Sequence, residues 1–187
     1  MAGFDGGAYQ ARLDALAASG VEMHGEASLV RSYGPASVLD AGCGTGRVAI
    51  ELARHGIETV GVDVETSMIS EARRRAPHLT WIEADGAALH LGRRFDVVVM
   101  AGNVPIFCPR PARPDLIASC ARHVDDGGRL ISGFQLGRGY TLAEYDREAS
   151  RAGLVLEDRW STWDRRPLGD GGDYAVSVHH RRTGPAV

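Results

Sequence analysis

Three aspartates each close a short apolar run: Asp40 after Val38-Leu39, Asp63 after Val60-Gly61-Val62, and Asp85 after Trp81-Ile82-Glu83-Ala84. Glycines follow the first at alternate positions, in Gly42-Cys43-Gly44-Thr45-Gly46. Glycine there lets the backbone turn sharply and lets a ligand approach where a Cβ would block it. The next residues, Arg47 to Ala53, have helical spacing, and a helix start directs unpaired N–H groups at whatever the turn holds. Dinucleotide-binding turns use G-x-G-x-x-G with a pyrophosphate on the helix N-terminus. This turn is one residue shorter, with a carboxylate two residues ahead of it. A carboxylate repels a pyrophosphate and attracts an ammonium or a sulfonium. Asp63 lies 21 residues after Gly42, near the ~20-residue offset of an acid that binds ribose hydroxyls. Three acids on one rim call for a ligand rich in positive charge and hydrogen-bond donors, which disfavours NAD.

The elements that must position these residues follow from periodicity. Apolar runs over Val38–Asp40, Glu58–Asp63, Leu79–Asp85 and Phe95–Met100 predict strands, and Gly127–Phe134 a turn and a fifth strand. Helical spacing over Arg47–His55, from Thr66 to Pro77, over Pro111–Val124 and over Leu142–Ala152 supplies the crossovers. This alternation predicts an α/β fold with a parallel, doubly covered sheet. Ligand then binds at the C-terminal strand ends, where all three aspartates sit. Leu154–Trp160 and Asp173–His180 are late strands with no helical pattern between them, so they are expected to pair antiparallel. Two helices, Ala8–Ala18 and His24–Tyr33, precede the first strand and are candidates for a lid. Without repeats or linkers, residues 1–187 read as one domain, a helical cap over 1–35 and a core over 36–187.

Composition narrows the partners. A net charge of −3 offers no basic field for nucleic acid. Cys43, Cys108 and Cys120 lack C-x-x-C spacing, so neither a disulfide framework nor a zinc site is expected, and a reducing cytoplasm is the simplest home. The first residues, Met1 to Gly7, have no basic start and no apolar run of a signal peptide. No segment is long and apolar enough to span a membrane.

Leu39-Asp40-Ala41-Gly42-Cys43-Gly44-Thr45-Gly46 resembles the first motif of the class I S-adenosylmethionine-dependent methyltransferases. The specific motifs of the resemblance cover about residues 24–134; the remainder matches in layout. It implies a Rossmann-like, doubly wound, seven-stranded sheet with an antiparallel C-terminal hairpin. It also implies S-adenosylmethionine as cofactor and S-adenosylhomocysteine as product. Carried onto this chain, Gly42, Cys43, Gly44 and Gly46 meet the methionine and ribose portion. Asp40 holds the methionine ammonium, directly or through water or the loop, and Glu26 assists. Asp63 takes the ribose hydroxyls, Val64 and Met68 pack on the adenine, and Asp85 with the Gly86 N–H reads its edge. Ala101 and Gly102 face the sulfonium. Each position also has a plainer reading: Asp40 as a helix cap, Asp85-Gly86 as a turn, Met68 as helix core.

No catalytic dyad stands out. In-line methyl transfer from a sulfonium depends mainly on alignment and exclusion of water, so none is required. His24 and Asn103 are the candidates for a catalytic group. Tyr9, Asn103, Phe107, Gln135 and Trp163 are candidates for an acceptor pocket. Ala101-Gly102-Asn103-Val104-Pro105 lacks the Asn/Asp-Pro-Pro-aromatic stretch of amino-methylating nucleic-acid enzymes. Cys108 precedes rather than follows its proline, unlike a cytosine-C5 nucleophile. Asn103 stands without clustered acids, so no metal is expected. The sequence thus favours a small-molecule O, N or S acceptor and a monomer or homodimer. A protein or RNA methyltransferase and a non-catalytic cofactor-binding module are the alternatives.

Overall fold

The computed structural model of the protein describes residues 5–169 and 171–183. The reading of the chain start as no signal peptide rests partly on Met1–Phe4, outside the described residues. Helices α1 (Gly6–Ala18) and α2 (Gly25–Arg31) come first. Then follow β1 (Ser37–Ala41), α3 (Arg47–Arg54), β2 (Glu58–Asp63), α4 (Thr66–Arg75) and β3 (Thr80–Glu83). The second half comprises β4 (Phe95–Met100), α5 (Val104–Phe107), α6 (Arg113–Arg122), β5 (Val124–Gln135), α7 (Leu142–Arg151), β6 (Leu154–Trp160) and β7 (Tyr174–Arg181).

The strands form one seven-stranded sheet in the order β3-β2-β1-β4-β5-β7-β6. The first five are parallel, and β7 runs antiparallel between β5 and β6. The expected architecture is therefore present, including the antiparallel end. Chain order reverses between β1 and β4, which opens a crevice at their C-terminal ends. The strands are apolar on both faces because helices cover both. Along β4, Val98 and Met100 pack with Leu39, Leu130, Ile117 and Phe134. Val97 and Val99, one step out of phase, pack with Val38, Val30, Val48 and Leu52.

Several boundaries differ from the sequence reading. β3 ends at Glu83, so Asp85 lies beyond the strand and caps a 3-10 turn, Gly86–Ala88. The expected helix from Pro111 divides into a 3-10 turn, Arg110–Ala112, and α6. Pro111 and Pro114 lack an N–H and are tolerated at helix starts, where that donor has no intrahelical partner. Single-turn α5 was not expected, because a stretch that short shows no period.

Candidate active site

The glycine turn lies across the end of β2. Gly42 and Cys43 both donate backbone hydrogen bonds to the Val62 carbonyl, at 2.8 and 2.9 Å. Gly46 has φ +81°, and a side chain there would drive into the indole of Trp81. That indole is buried and anchored by its N–H to the Ala76 carbonyl, at 2.8 Å. A shape requirement beneath the turn therefore fixes Gly46, beyond its left-handed backbone. The Cys43 thiol is buried, and desolvation raises its pKa well above the usual range, so it is not a poised nucleophile.

The three aspartates do not share one open rim. Asp40 pairs in register with Gly61, so Asp63 stands two residues further along the sheet, roughly 6–7 Å nearer the crevice. Asp40 is 1% exposed. One oxygen accepts from the Ala49 N–H of α3 at 3.1 Å, and the other is buried without a partner. Asp40 is turned inward, onto α3, and anchors the helix behind the turn, so of the expected routes to the cofactor ammonium the direct one is corrected and those through water or the loop are left. Asp63 does face the turn. Its Oδ2 accepts from the Gly44 N–H at 2.8 Å and its Oδ1 from the Glu65 N–H at 3.0 Å. Asp85 is exposed, with Oδ1 accepting from the Ala87 N–H at 2.9 Å. Beside Asp63, Val64 is 61% exposed while Met68 is buried. The wall above the turn thus presents one apolar side chain of the expected pair.

Burial pushes the Asp40 pKa up to about 7, against the Ala49 hydrogen bond and the nearby Arg47. Between its usual value of 3.8 and about 7, the folded chain keeps a proton that the unfolded chain has released, so stability falls as pH rises through that window. Asp40→Asn keeps an acceptor for Ala49 and removes the titration. Its stability relative to wild type is expected to rise by about 3 kcal/mol between about pH 4 and pH 7, read from urea melts at each pH. A constant difference across that range would refute the assignment.

Two other candidates are already engaged. Both oxygens of Glu26 are held by the Arg47 guanidinium, at 2.5 and 2.8 Å, and Arg47 also donates to the Met23 carbonyl. A free carboxylate for the cofactor ammonium is therefore not present at Glu26. His24 lies 3.7 Å from Glu51 of α3, one helical turn below Arg47 and away from the glycine turn. It is not placed as a catalytic base. Asn103 has φ 73°, and its Oδ1 accepts from the Gln135 N–H at 2.7 Å, while its own N–H donates to the Gly133 carbonyl. Its carbonyl oxygen is thus committed to locking the end of β4 onto the end of β5. The His24 Nδ1 has no hydrogen-bond partner among the described residues.

The acceptor-side candidates fall on two edges of the crevice. Tyr9 of α1 lies over Gly44, with a ring carbon 3.9 Å from where a Cβ would stand. Trp163 and Tyr174 cover Gly133, where no side chain would fit, and the Trp163 indole N–H donates to the Tyr174 hydroxyl at 3.2 Å. Ala101 and Gly102 lie between these edges, at the end of β4. Phe107 on α5 is 66% exposed, and Gln135 is the exposed last residue of β5. Among the described residues no group of His, Cys, Asp and Glu is arranged to hold a metal ion, and no helix is long and apolar enough to cross a membrane.

Three contributors were missed. Buried Gln10 of α1 accepts from the Thr45 hydroxyl at 2.6 Å, pinning the first helix onto the glycine turn. Tyr174 supplies the hydroxyl that orients Trp163. Buried Arg113 donates to the carbonyls of Cys108 and Gly139, at 3.2 and 2.8 Å, and stacks on Tyr140. It ties the segment after β4 to the loop after β5. Nothing local in the sequence marks these three.

A family model described as a methyltransferase domain matches residues 38–128. A solved TehB-like SAM-dependent methyltransferase from Corynebacterium glutamicum is 33% identical, with a TM-score of 0.89 over 95% of this chain and 98% of that one. Among curated relatives, a dTDP-3-amino-3,4,6-trideoxy-alpha-D-glucopyranose N,N-dimethyltransferase of Streptomyces venezuelae is 33% identical over 108 residues, 56% of this chain and 46% of the relative. A dTDP-3-amino-3,6-dideoxy-alpha-D-glucopyranose N,N-dimethyltransferase of Streptomyces fradiae is 38% identical over 163 residues, 85% of this chain and 62% of the relative. The chain thus spans about half to three-fifths of these curated relatives. Near-complete overlap with the solved relative, together with the family match on the glycine turn, places it: the chain belongs to the S-adenosylmethionine-dependent methyltransferases.

Proposed function

We propose that the protein transfers a methyl group from S-adenosylmethionine to a small-molecule acceptor. The observation that carries this reading is Asp63, hydrogen-bonded to the Gly44 N–H at 2.8 Å. That contact sets a carboxylate against a turn of three left-handed glycines, where ribose hydroxyls can replace or join the backbone donors. The residues fit the cofactor on that account. Gly42, Cys43, Gly44 and Gly46 supply the close backbone approach, and exposed Val64 supplies an apolar face for the adenine. Met68 backs it from beneath, and Asp85 and the Gly86 N–H border the adenine edge. Ala101 and Gly102 border the reacting end. Bound there, the cofactor supplies a methyl group activated by its sulfonium, so the chain has to align the acceptor and exclude water.

Tyr9 and Trp163, with Tyr174, bound the crevice from either side, and Phe107 and Gln135 border it along the β4 and β5 ends. Such a frame suits a small acceptor, with α1 and α2 as its cover. The relatives named as N,N-dimethyltransferases of amino sugars make an amine the first acceptor to test. A near-neutral charge of −3 supports a small molecule over nucleic acid. Three unpaired cysteines suit a reducing cytoplasm. No metal is invoked, and a monomer or homodimer serves equally.

The test is turnover. The full chain with S-adenosylmethionine is offered a panel of small amines, amino sugars among them, with hydroxyl and thiol analogues beside them, and S-adenosylhomocysteine is quantified. Acceptor-dependent product at least tenfold over the acceptor-free rate is expected for one class. Cofactor binding without product from any class would instead identify a binding module.

A further inference from the structure

A second concave site lies at the other end of the sheet. There the turn ahead of β4, the last turn of α6 and the end of β7 border an open concavity of about 410 Å³. Its wall carries Arg93, Arg94, Arg122, Arg181, His90 and His123 and no carboxylate. Arg93 forks onto Glu58 at 2.6 and 3.1 Å, and Arg94 bonds Asp126 at 3.0 Å. Those two guanidiniums are each answered by an acid outside the wall. His123 is spent structurally: Nδ1–H donates to the Ser119 carbonyl and Nε2 accepts from the Leu91 N–H. Burial lowers its pKa and keeps it neutral. Among the described residues Arg122 has no carboxylate partner. Arg181 donates an Nη2–H to the Ala121 carbonyl, and its Nε–H is buried without any acceptor.

The negative end of α6 accounts for one cation there, and the bond from Arg181 to Ala121 fills that role. It does not account for a second guanidinium, that of Arg122, or for the orphaned Nε–H of Arg181, which is costly to bury. Among the described residues one guanidinium without a carboxylate, that of Arg122, and one buried donor therefore remain on this wall. We propose that this cavity binds a phosphate group, held between Arg122 and Arg181. A phosphate carries the charge opposite to the Arg122 guanidinium. Planar guanidinium forks suit its oxygens. The cavity is larger than a bare anion, leaving room for the small organic part of a phosphate monoester. The site is separate from the cofactor crevice, which opens at the opposite strand ends.

Calorimetric titration of the full chain tests this, with inorganic phosphate, glycerol 3-phosphate and chloride at matched ionic strength. Both phosphates are expected to bind saturably and chloride not. Arg122→Glu, at an exposed and unpaired position, is expected to fold as wild type by circular dichroism and to weaken both phosphates at least tenfold. Binding is expected to persist in Asp63→Ala and with S-adenosylhomocysteine in excess. Tighter glycerol 3-phosphate assigns the site to an ester; equal affinities assign it to the free anion. The proposal is overturned by no binding beyond chloride, by unchanged affinity in Arg122→Glu, or by competition from S-adenosylhomocysteine.

Discussion

Asp63→Ala is expected to weaken S-adenosylhomocysteine binding by about 100-fold, close to 3 kcal/mol. Two losses add. A carboxylate accepting from two ribose hydroxyls contributes about 1.5 kcal/mol or more for each charge-assisted bond. The same side chain restrains the turn through Gly44 and the start of α4 through Glu65, so its removal also loosens the backbone that would receive the ligand. Asp63→Asn keeps one acceptor and loses the charge, and should fall between. Calorimetry with S-adenosylhomocysteine reads all three proteins. Equal dissociation constants for wild type and Asp63→Ala would remove the central support for the cofactor site, whatever the acceptor proves to be.

Gly46→Ala should destabilise the fold by about 3 kcal/mol or more. A left-handed conformation costs an L-residue roughly 1–2 kcal/mol, and forcing an atom into a filled core adds about 1–3 kcal/mol. The obstacle is Trp81, which cannot retreat without giving up its bond to Ala76. Gly56 provides the control. It has φ +78° and open space around its Cβ position, so Gly56→Ala should lose only the backbone part, about 1 kcal/mol. Urea denaturation of both variants isolates the packing contribution. If they prove equally stable, Trp81 does not police the turn.

Much of this was legible in the chain. Apolar runs ending in an acid, followed by glycines and a helical pattern, located β1, β2 and the turn, and an unbroken run located β4. Side-chain depth was not legible. Asp40 and Asp63 both close strands, and only the pairing of Asp40 with Gly61 shows that one is buried behind the other. That register is a tertiary fact with no local signature. Asp85 was placed on a strand that stops at Glu83, because strand ends are set by pairing partners rather than by composition. The neighbours of Glu26, His24 and Asn103 were not legible for a common reason. Arg47, Glu51 and Gln135, which engage them, are remote in sequence and become neighbours only once the sheet and helices are assembled. Arg113 was hidden likewise: a surface-type residue on an amphipathic helix that finds its carbonyls on two separate loops.

The position of β7 has a consequence for biosynthesis. It is the last strand in chain order, yet it lies inside the sheet, with β5 on one side and β6 on the other. Until it emerges, β5 presents an open hydrogen-bonding edge and β6 has no strand to join, since among the described residues its ladder is with β7 alone. A growing chain on the ribosome therefore cannot close the sheet by adding strands outward one at a time. The final insertion waits for residues near position 181, and the interval before it is when the nascent chain is most exposed to edge-to-edge aggregation.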